Sequence, residues 1–373
     1  MHKQPIVFSG VQPSGNLHLG NYLGAIKNWE KLQEGYHSFF CVVDLHAITI
    51  PQEPSELRKK ILETAKIYLA AGIDPAKSTI FVQSTVSAHA ELAWLLNTIT
   101  PNAELTKMTQ FKQKSGVDFK ELENYLIKNV KAEILNIEEL TKESLKDNII
   151  KLTLTQFKKF KEQFNSVGVG LYDYPILMAA DILLYDTDIV PVGEDQTQHI
   201  ELTRKLAKKF NKHFGETFKI PKSYIQQEGM RIMGLDDPSS KMSKSAPSKF
   251  NRIDLLDSPK KIKEKIKKAV TDSENSIEYK NERPALKNLI NIFALTSGKT
   301  PKEVVKHFED KGFKEFKEEL AQAIIDFLVP FQERYHSISD KHVQKILEEG
   351  AIKASLVAQE KLSEVKEKMG LQK

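Results

Sequence analysis

Two lysines in the C-terminal half of the chain have a spacing that suits phosphate chemistry. Lys241 and Lys244 stand three residues apart in the segment Lys241–Ser245, and the turn-rich stretch Asp236–Ser240 before them can supply a mobile loop. Two ammonium groups so placed suit the charge that develops on a triphosphate losing pyrophosphate, each contact contributing roughly 1.5 to 3 kcal/mol. The alternative is a solvated basic loop, which is what most lysine–serine clusters are.

A glycine-rich turn near the N-terminus is a second candidate phosphate-binding element. The segment Phe8–Asn21 joins a predicted strand to a predicted helix and has three glycines within eleven positions. Such a backbone can approach a phosphate closely, and the free amides and dipole of a helix N-terminus favour an anion. Gly10 and Gly15 have the spacing of a P-loop, but Asn16 and Leu17 replace its Lys and Ser/Thr, and the dinucleotide fingerprint is absent. A turn needed only for packing a helix on the sheet is the alternative.

A carboxylate lies in an otherwise apolar helical pattern further along the chain. Tyr174, Met178 and Asp181 fall at i, i+4 and i+7 of that pattern, so they share one helix face. A carboxylate among apolar neighbours is costly unless it meets a hydrogen-bond donor. Asp181 therefore either meets a donor on a ligand, is satisfied by neighbouring backbone or an arginine, or turns to solvent.

The order of the predicted elements indicates an α/β fold with a doubly wound, Rossmann-like parallel sheet. Short apolar runs alternate with helical patterns, as in βαβ units. The predicted strands are Ile6–Gly10, Phe39–Val43, Thr79–Gln83 and Asp188–Gly193. The predicted helices are His18–Gln33, Glu56–Ala71 and an apolar helix that has Pro175 in its first turn and reaches Tyr185.

The rest of the chain has a helical texture. A stretch rich in Lys, Glu, Leu, Ile and Phe predicts a helical insert over about residues 115–166, whose apolar residues pack against one another. From Pro259 onward the pattern is helical and charged. We therefore predict an α/β domain over residues 1–250 that carries the insert, and an all-α domain over residues 251–373. Trp29 and Trp94 are predicted to serve in core or interface packing.

Composition narrows the class of protein. The chain has 373 residues, 40% of them apolar, and a net charge of +5, which permits a nucleic-acid partner without demanding one. Its one cysteine, Cys41, lies in an apolar run and predicts a buried thiol in a reducing compartment. The strand-like run that starts at Ile6 leaves no room for a secretory signal, and no apolar stretch approaches the roughly 20 residues that span a bilayer. We expect a cytoplasmic protein without a membrane partner.

Together, the segments His18–Asn21 and Lys241–Ser245 resemble the two signature motifs of class I aminoacyl-tRNA synthetases, which flank ATP. The first motif usually ends in a second histidine, and this chain has Asn21 there. Asparagine can donate to a phosphate oxygen but cannot carry a proton. Adenylate formation depends mainly on positioning and electrostatics, so the replacement is compatible with activity. An ending in Gly-Asn is common in the tryptophanyl branch of the family. Outside the insert, the whole chain resembles the bacterial members of that branch.

This resemblance implies a set of site residues. Residues implied to bind ATP are Gln12, Pro13, Ser14, His18, Gly20, Asn21, Gly193, Glu194, Asp195, Ile232, Lys241, Met242, Ser243, Lys244 and Ser245. Lys241 and Lys244 would act on the phosphates, and Lys114 matches a further family lysine that reaches toward them. Residues implied to surround tryptophan are Asp181, Tyr174, Met178, Phe8, His46 and Gln196, with Asp181 accepting the indole N–H. A histidine satisfied at a strand end is the alternative for His46.

The resemblance also implies the reaction and its partners. The tryptophan carboxylate would attack the α-phosphate of ATP, and a ribose hydroxyl of the terminal tRNA adenosine would then attack the adenylate. Mg²⁺ would be carried by ATP and not by a protein metal site. The helical domain would bind the anticodon end of tRNA(Trp), with the lysine-dense stretch Lys260–Lys268 as a phosphate contact or simply a solvated face. A homodimer bridged by one tRNA is the implied assembly.

Three other functions have to be weighed. A tyrosyl enzyme shares both motifs and the fold, and the Met178 to Asp181 face is the feature that discriminates against it. A nucleotidyltransferase making a dinucleotide or coenzyme precursor would lack the helical tRNA domain and usually keeps the second histidine. A non-catalytic RNA-binding paralogue is disfavoured by the retained lysines.

Overall fold

A five-stranded parallel sheet forms the centre of the protein. The computed structural model describes residues 4–115, 122–125, 127–128, 142–193, 196–224, 232–244, 246, 248–272, 274 and 276–371; within these, the side chains of residues 110, 113, 114, 142–150 and 152 lie outside the description. The strands are β1 (Ile6–Val11), β2 (His37–Val42), β3 (Ser78–Val82), β4 (Ile189–Pro191) and β5 (Lys222–Tyr224). Their order is β3-β2-β1-β4-β5, and every pairing is parallel.

The strand order makes the fold doubly wound and confirms the predicted fold class. β2 and β3 lie on one side of β1, and β4 and β5 lie on the other. The order in which strands are added to the sheet therefore reverses between β1 and β4. In such sheets a crevice opens outside the carboxyl ends of the strands at this switch point. The four predicted strands are present. β5 was not predicted, because its three residues Lys222–Tyr224 carry no apolar run.

Helices cover the sheet and make up the C-terminal part of the chain. Those before residue 215 are Leu19–Asn21, continued by a π-helical turn over Tyr22–Ile26 and by Lys27–Leu32, then Asp44–Ala47, Pro54–Ala70, Ala88–Asn97, Asn102–Leu105, Thr109–Ser115, Lys142–Ser166, Val169–Leu183 and Thr197–Phe214. Short 3-10 turns lie at Gln83–Thr85 and Lys249–Asn251. The later helices are Pro259–Lys268, Pro284–Ser297, Pro301–His307, Phe313–Ser337 and Asp340–Lys368. None of the helices in the described ranges combines the length and apolar character needed to cross a membrane.

The helix that carries the candidate acid, here called the pocket helix (Val169–Leu183), starts earlier than predicted. Pro175 lies in its interior, so the prediction of a first-turn proline was wrong. A proline there gives up one backbone hydrogen bond and crowds the carbonyl four residues back. Leu171 and Tyr174, both buried, supply the packing that holds the first turns in helical form despite this cost.

The predicted insert contains a long helix, Lys142–Ser166. Phe160 is half-buried and packs against the core of the sheet, whereas Phe157 and Leu154 are exposed. Residues 116–121, 126 and 129–141 of the insert lie outside the described residues. The side of this helix that carries Phe160 is therefore docked on the core of the sheet.

The helices after residue 250 do not all pack with one another. Pro284–Ser297 and Phe313–Ser337 share an apolar core with Leu19 and Tyr22, which follow the glycine turn. The last helix, Asp340–Lys368, packs on β3 instead. The domain boundary near residue 251 stays a prediction, because apolar clusters shared with the first helix and with the sheet tie the helical part to the rest of the protein.

We expect Gly350→Ala to lower the free energy of unfolding by about 1 to 3 kcal/mol. A Cβ at Gly350 would stand 1.8 Å from the carbonyl oxygen of Ile80, so the last helix would have to move off β3. Gly24→Ala is the matched control, since a Cβ there has no atom within 4 Å. Chemical unfolding of both variants checks this; equal stabilities would contradict the close packing.

Candidate active site

The glycine turn lies where the switch-point crevice is expected. β1 ends at Val11, and the first helix begins at Leu19. Between them Gly15 has φ +61, a backbone conformation that a side chain would strain. Pro13 is buried and Ser14 is half-buried in the same turn. The turn therefore has a fixed shape at the carboxyl edge of the sheet.

The structure brings the lysine loop against this turn. Lys244 donates from Nζ to the carbonyl oxygen of Gln12 at 3.2 Å, and its Cβ lies 3.4 Å from the position a Cβ on Gly15 would take. Burial, helped by the charge of Lys60, lowers the pKa of Lys244 to about 8. The ammonium group is thus aimed at a partly dehydrated space, which strengthens its attraction for an anion.

His18 and Asn21 shape the start of the first helix. Asn21 accepts a hydrogen bond from the backbone N–H of His18 through Oδ1 at 3.2 Å. His18 is buried, and no described group hydrogen-bonds its Nδ1. Burial first, and then Lys244 and other cations, lower the pKa of His18 to about 3. The ring is therefore neutral at physiological pH and can form hydrogen bonds without adding charge.

The lysine loop is anchored on the helical part of the chain. Met242 donates from its backbone N–H to the carbonyl oxygen of Ile232 at 3.1 Å, beside an antiparallel bridge between Met233 and Lys241. The side chain of Asn288 both accepts from the N–H of Met233 at 2.9 Å and donates to its carbonyl oxygen at 3.0 Å. The position of the loop consequently depends on the Pro284–Ser297 helix.

Asp181 is buried, with 2% of its surface exposed. Its Oδ1 accepts from Gln83 Nε2 at 2.6 Å and from His89 Nδ1 at 2.6 Å, and its Oδ2 accepts from His46 Nε2 at 2.8 Å. Burial alone would raise the pKa of Asp181, but the hydrogen bonds from His46 and His89 outweigh it and lower the pKa well below its usual range. The group is a charged acceptor at neutral pH.

Aromatic and apolar side chains surround this carboxylate. His46 meets Tyr174 edge to face, with ring centroids 6.3 Å apart, and the Tyr174 hydroxyl hydrogen-bonds His199 Nε2 at 2.7 Å. Phe8 on β1 is buried, and Met178 is half-buried on the pocket helix. Of the predicted tryptophan-binding residues, His46 contacts the carboxylate directly and Tyr174 packs on His46. The ring of Phe8 lies 6.5 Å from the ring of His89, which also contacts the carboxylate.

The remaining predicted residues are placed as follows. Gly193 is exposed just after β4, and Gln196 is half-buried and donates from its N–H to the Gly193 carbonyl oxygen at 3.0 Å. Lys241 is exposed, Ser243 is half-buried, and Gly20 lies against His18 and Met242. Glu194, Asp195, Ser245 and the side chain of Lys114 lie outside the described residues.

Three residues of the carboxylate's surroundings were missed from the sequence: Gln83, His89 and Tyr185. Gln83 directly follows β3, and the ends of parallel strands meet at one edge, so its position was a usable signal. His89 stands between two alanines in a short apolar helix, where no spacing pointed to it.

The two halves of the site are connected by β1. Phe8 lies near the carboxylate and Gln12 near the lysine loop, and four residues of strand span roughly 13 Å. An amino acid and a nucleotide could therefore meet over the end of this strand. Within the described ranges, no group of three or more His, Cys, Asp or Glu side chains could hold a metal ion.

The sequence of the chain is similar to those of known tRNA synthetases. The family model described as tRNA synthetases class I (W and Y) matches residues 1–141 and 148–329. A tryptophan–tRNA ligase of Caldanaerobacter subterraneus is 50% identical over 366 residues, 98% of each chain, and one of Helicobacter pylori is 46% identical over 371 residues, 100% of each chain.

Solved structures of tryptophanyl-tRNA synthetases are also similar to this chain. The tryptophanyl-tRNA synthetase of Mycoplasma pneumoniae superposes with a TM-score of 0.80 at 31% identity, over 98% of each chain. That of Campylobacter jejuni, in complex with ADP and tryptophan, gives a TM-score of 0.74 at 34% identity, over 98% of this chain and 100% of the other. The protein belongs to the class I tRNA synthetases of the tryptophan and tyrosine family.

Proposed function

We propose that this protein is a tryptophan–tRNA ligase, which activates L-tryptophan with ATP and transfers it to tRNA(Trp). Near full-length relatives at 44 to 50% identity carry that name. The observation that carries the choice of amino acid is the buried, ionised Asp181 on a face it shares with Tyr174 and Met178. We place the reaction in the cytoplasm.

Asp181 is the group proposed to bind the indole N–H. A carboxylate has about four acceptor positions, and among the described residues three donors occupy three of them. Oδ1 has two donors and Oδ2 has one, so Oδ2 can accept one more hydrogen bond. A substrate that lacks a donor at that point would leave a buried charge without its fourth partner, which disfavours it.

Adenylate formation needs charge stabilisation at the phosphates. A tryptophan carboxylate oxygen attacks the α-phosphorus, and the bond from that phosphorus to the bridging oxygen of pyrophosphate breaks, with the electron pair leaving on pyrophosphate. Lys241, Lys244 and the neutral ring of His18 are proposed to bind the phosphate oxygens. Lysines and amides are donors and do not ligate Mg²⁺, so an ion would be held by the nucleotide's phosphates and would neutralise part of their charge. The 2′ hydroxyl of the terminal adenosine then attacks the adenylate carbonyl, and AMP leaves.

The helical part is proposed to bind the anticodon end of the tRNA. On the Pro259–Lys268 helix, Lys260, Lys261, Lys263 and Lys267 are exposed and can reach phosphates. Lys265 is different, because it is buried and paired with Asp257. This ion pair holds the helix on the segment that contains Asp257 and that contacts the glycine turn.

A homodimer is proposed on the basis of an exposed apolar patch formed by Ile48, Ile50, Trp94 and Val169, with Val169 78% exposed and Trp94 69% exposed. The Thr49 backbone lies 3.8 Å from where a Cβ on Gly170 would stand, and the Ala88–Asn97 helix packs on the pocket helix. Large apolar side chains exposed on neighbouring elements are typical of interfaces. The patch adjoins the pocket helix, so the partner would touch the element that carries Asp181.

Amino-acid-dependent exchange of pyrophosphate into ATP tests the proposed function. We expect exchange with tryptophan and little with tyrosine. Exchange that depends on tyrosine would favour the tyrosyl alternative, and exchange with neither amino acid would contradict the proposal.

Asp181→Ala is expected to reduce tryptophan-dependent exchange by roughly 100-fold or more, because the pocket loses its charged acceptor. Asp173→Ala is the matched control: Asp173 lies on the same helix, is half-buried, and accepts from Asn97 at 2.8 Å. We expect the control to retain most of the activity. Normal rates in the Asp181 variant would refute the assignment of this acid.

The kcat/KM for ATP is expected to fall as the pH rises through about 8, because Lys244 in the free enzyme then loses its proton. With that pKa the charged fraction drops roughly fivefold between pH 8 and 9. Lys60→Met should move this fall to higher pH, since the charge of Lys60 helps to lower the pKa of Lys244. Lys244→Arg should abolish it. A fall that stays in place in both variants would rule out Lys244 as its cause.

Val169→Glu is expected to convert a dimer to monomers in sedimentation experiments, because it places a charge in the apolar patch. Val270→Glu makes the same exchange at an exposed valine of the helical part and should leave the dimer intact. A wild-type monomer, or a dimer that survives Val169→Glu, would contradict the assigned interface.

A further inference from the structure

His89 is a buried titratable group to which the proposed chemistry gives no role. It lies in the first turn of the Ala88–Asn97 helix and has no exposed surface. Its Nδ1 is 2.6 Å from Asp181 Oδ1, and its Nε2 is 2.9 Å from the hydroxyl of Tyr185. Both ring nitrogens thus have partners, which a histidine that only fills space would not need.

The partners define which nitrogen carries the proton. An ionised carboxylate only accepts, so His89 Nδ1 must donate to Asp181. In the neutral ring Nε2 then accepts from the Tyr185 hydroxyl. Tyr185 is held in place by rings on two strands, stacking on Phe8 at 5.4 Å and tilting against Phe39 at 4.5 Å. The chain of hydrogen bonds from Tyr185 to Asp181 therefore starts at a ring that is packed against the sheet.

The two oxygens of Asp181 have unequal surroundings. Oδ1 receives donors from Gln83 and His89, which together use both of its acceptor positions. Oδ2 receives His46 alone among the described residues. Two donors on one oxygen fix the rotation of the carboxylate. The remaining acceptor position of Oδ2 therefore points in a fixed direction.

We propose that His89 is a positioning residue that sets the enzyme's selectivity for a side chain bearing an N–H donor. It acts through Asp181, holding Oδ1 so that Oδ2 faces the bound indole. This inference rests on the proposed function. It assigns a part in substrate specificity to a residue that contacts Asp181 and not the substrate.

The test compares tryptophan with 3-benzothienylalanine, in which a sulfur atom replaces the indole N–H. The ratio of their kcat/KM values in pyrophosphate exchange measures how well the N–H is bound. We expect His89→Leu to lower the value for tryptophan roughly 10- to 100-fold and that for the sulfur analogue by less than about threefold. A structural role alone would lower both values equally.

Two conservative variants make the test independent of the Leu variant's folding. The amide nitrogen of His89→Asn can take the place of Nδ1 and donate to Asp181, whereas that of His89→Gln takes the place of Nε2. We expect the Asn variant to keep most of the wild-type ratio and the Gln variant to lose it. Equal ratios in the two variants, or an unchanged ratio in a folded Leu variant, would overturn the role of His89.

The wild-type protein separates this inference from the proposed function. Absence of tryptophan-dependent exchange in wild type would contradict both. Exchange in wild type with no preference for tryptophan over the sulfur analogue would overturn the inference and leave the ligase function standing.

Discussion

The site depends on keeping one carboxylate charged inside an apolar core. Burying an ionised acid is unfavourable by several kcal/mol unless donors replace the water it loses. Asp181 receives them from His46, which follows β2, from Gln83, which follows β3, and from His89 on the next helix. Since each donor belongs to a different element, the parallel sheet must be in register before the acid can be satisfied. The fold and the binding chemistry are thus linked by electrostatics.

The phosphate end has a different construction. There a glycine turn lies against a lysine loop, and the groups that would bind anions are incompletely satisfied: His18 Nδ1 has no described partner and Lys244 contacts one carbonyl. The loop is held from outside the sheet through Asn288, which hydrogen-bonds Met233. The N–H of Leu19 donates to the carbonyl oxygen of Ile253 at 2.8 Å and joins the first helix to the segment that follows the loop. A nucleotide bound here would contact both the glycine turn and a loop that is anchored on the helical part. Motion of the helical part would therefore change the phosphate site directly.

The sequence predicted the features that depend on local pattern. Alternation of apolar runs and helices indicated the doubly wound sheet, and the i, i+4, i+7 spacing put Tyr174, Met178 and Asp181 on one face. It did not predict features fixed by distant contacts. His89 and Gln83 are 92 and 98 residues from Asp181, so no periodicity relates them. Pro175 was placed in a first turn because a proline usually starts a helix, and tertiary packing of Leu171 and Tyr174 overrode that preference.

The most direct test of the account is a crystal structure of the protein with tryptophan bound. The account predicts the indole nitrogen at about 3 Å from Asp181 Oδ2, with Gln83 and His89 still donating to Oδ1. An indole nitrogen that faces another acceptor, or a carboxylate that has turned away from Gln83 and His89 to meet the ligand, would contradict it.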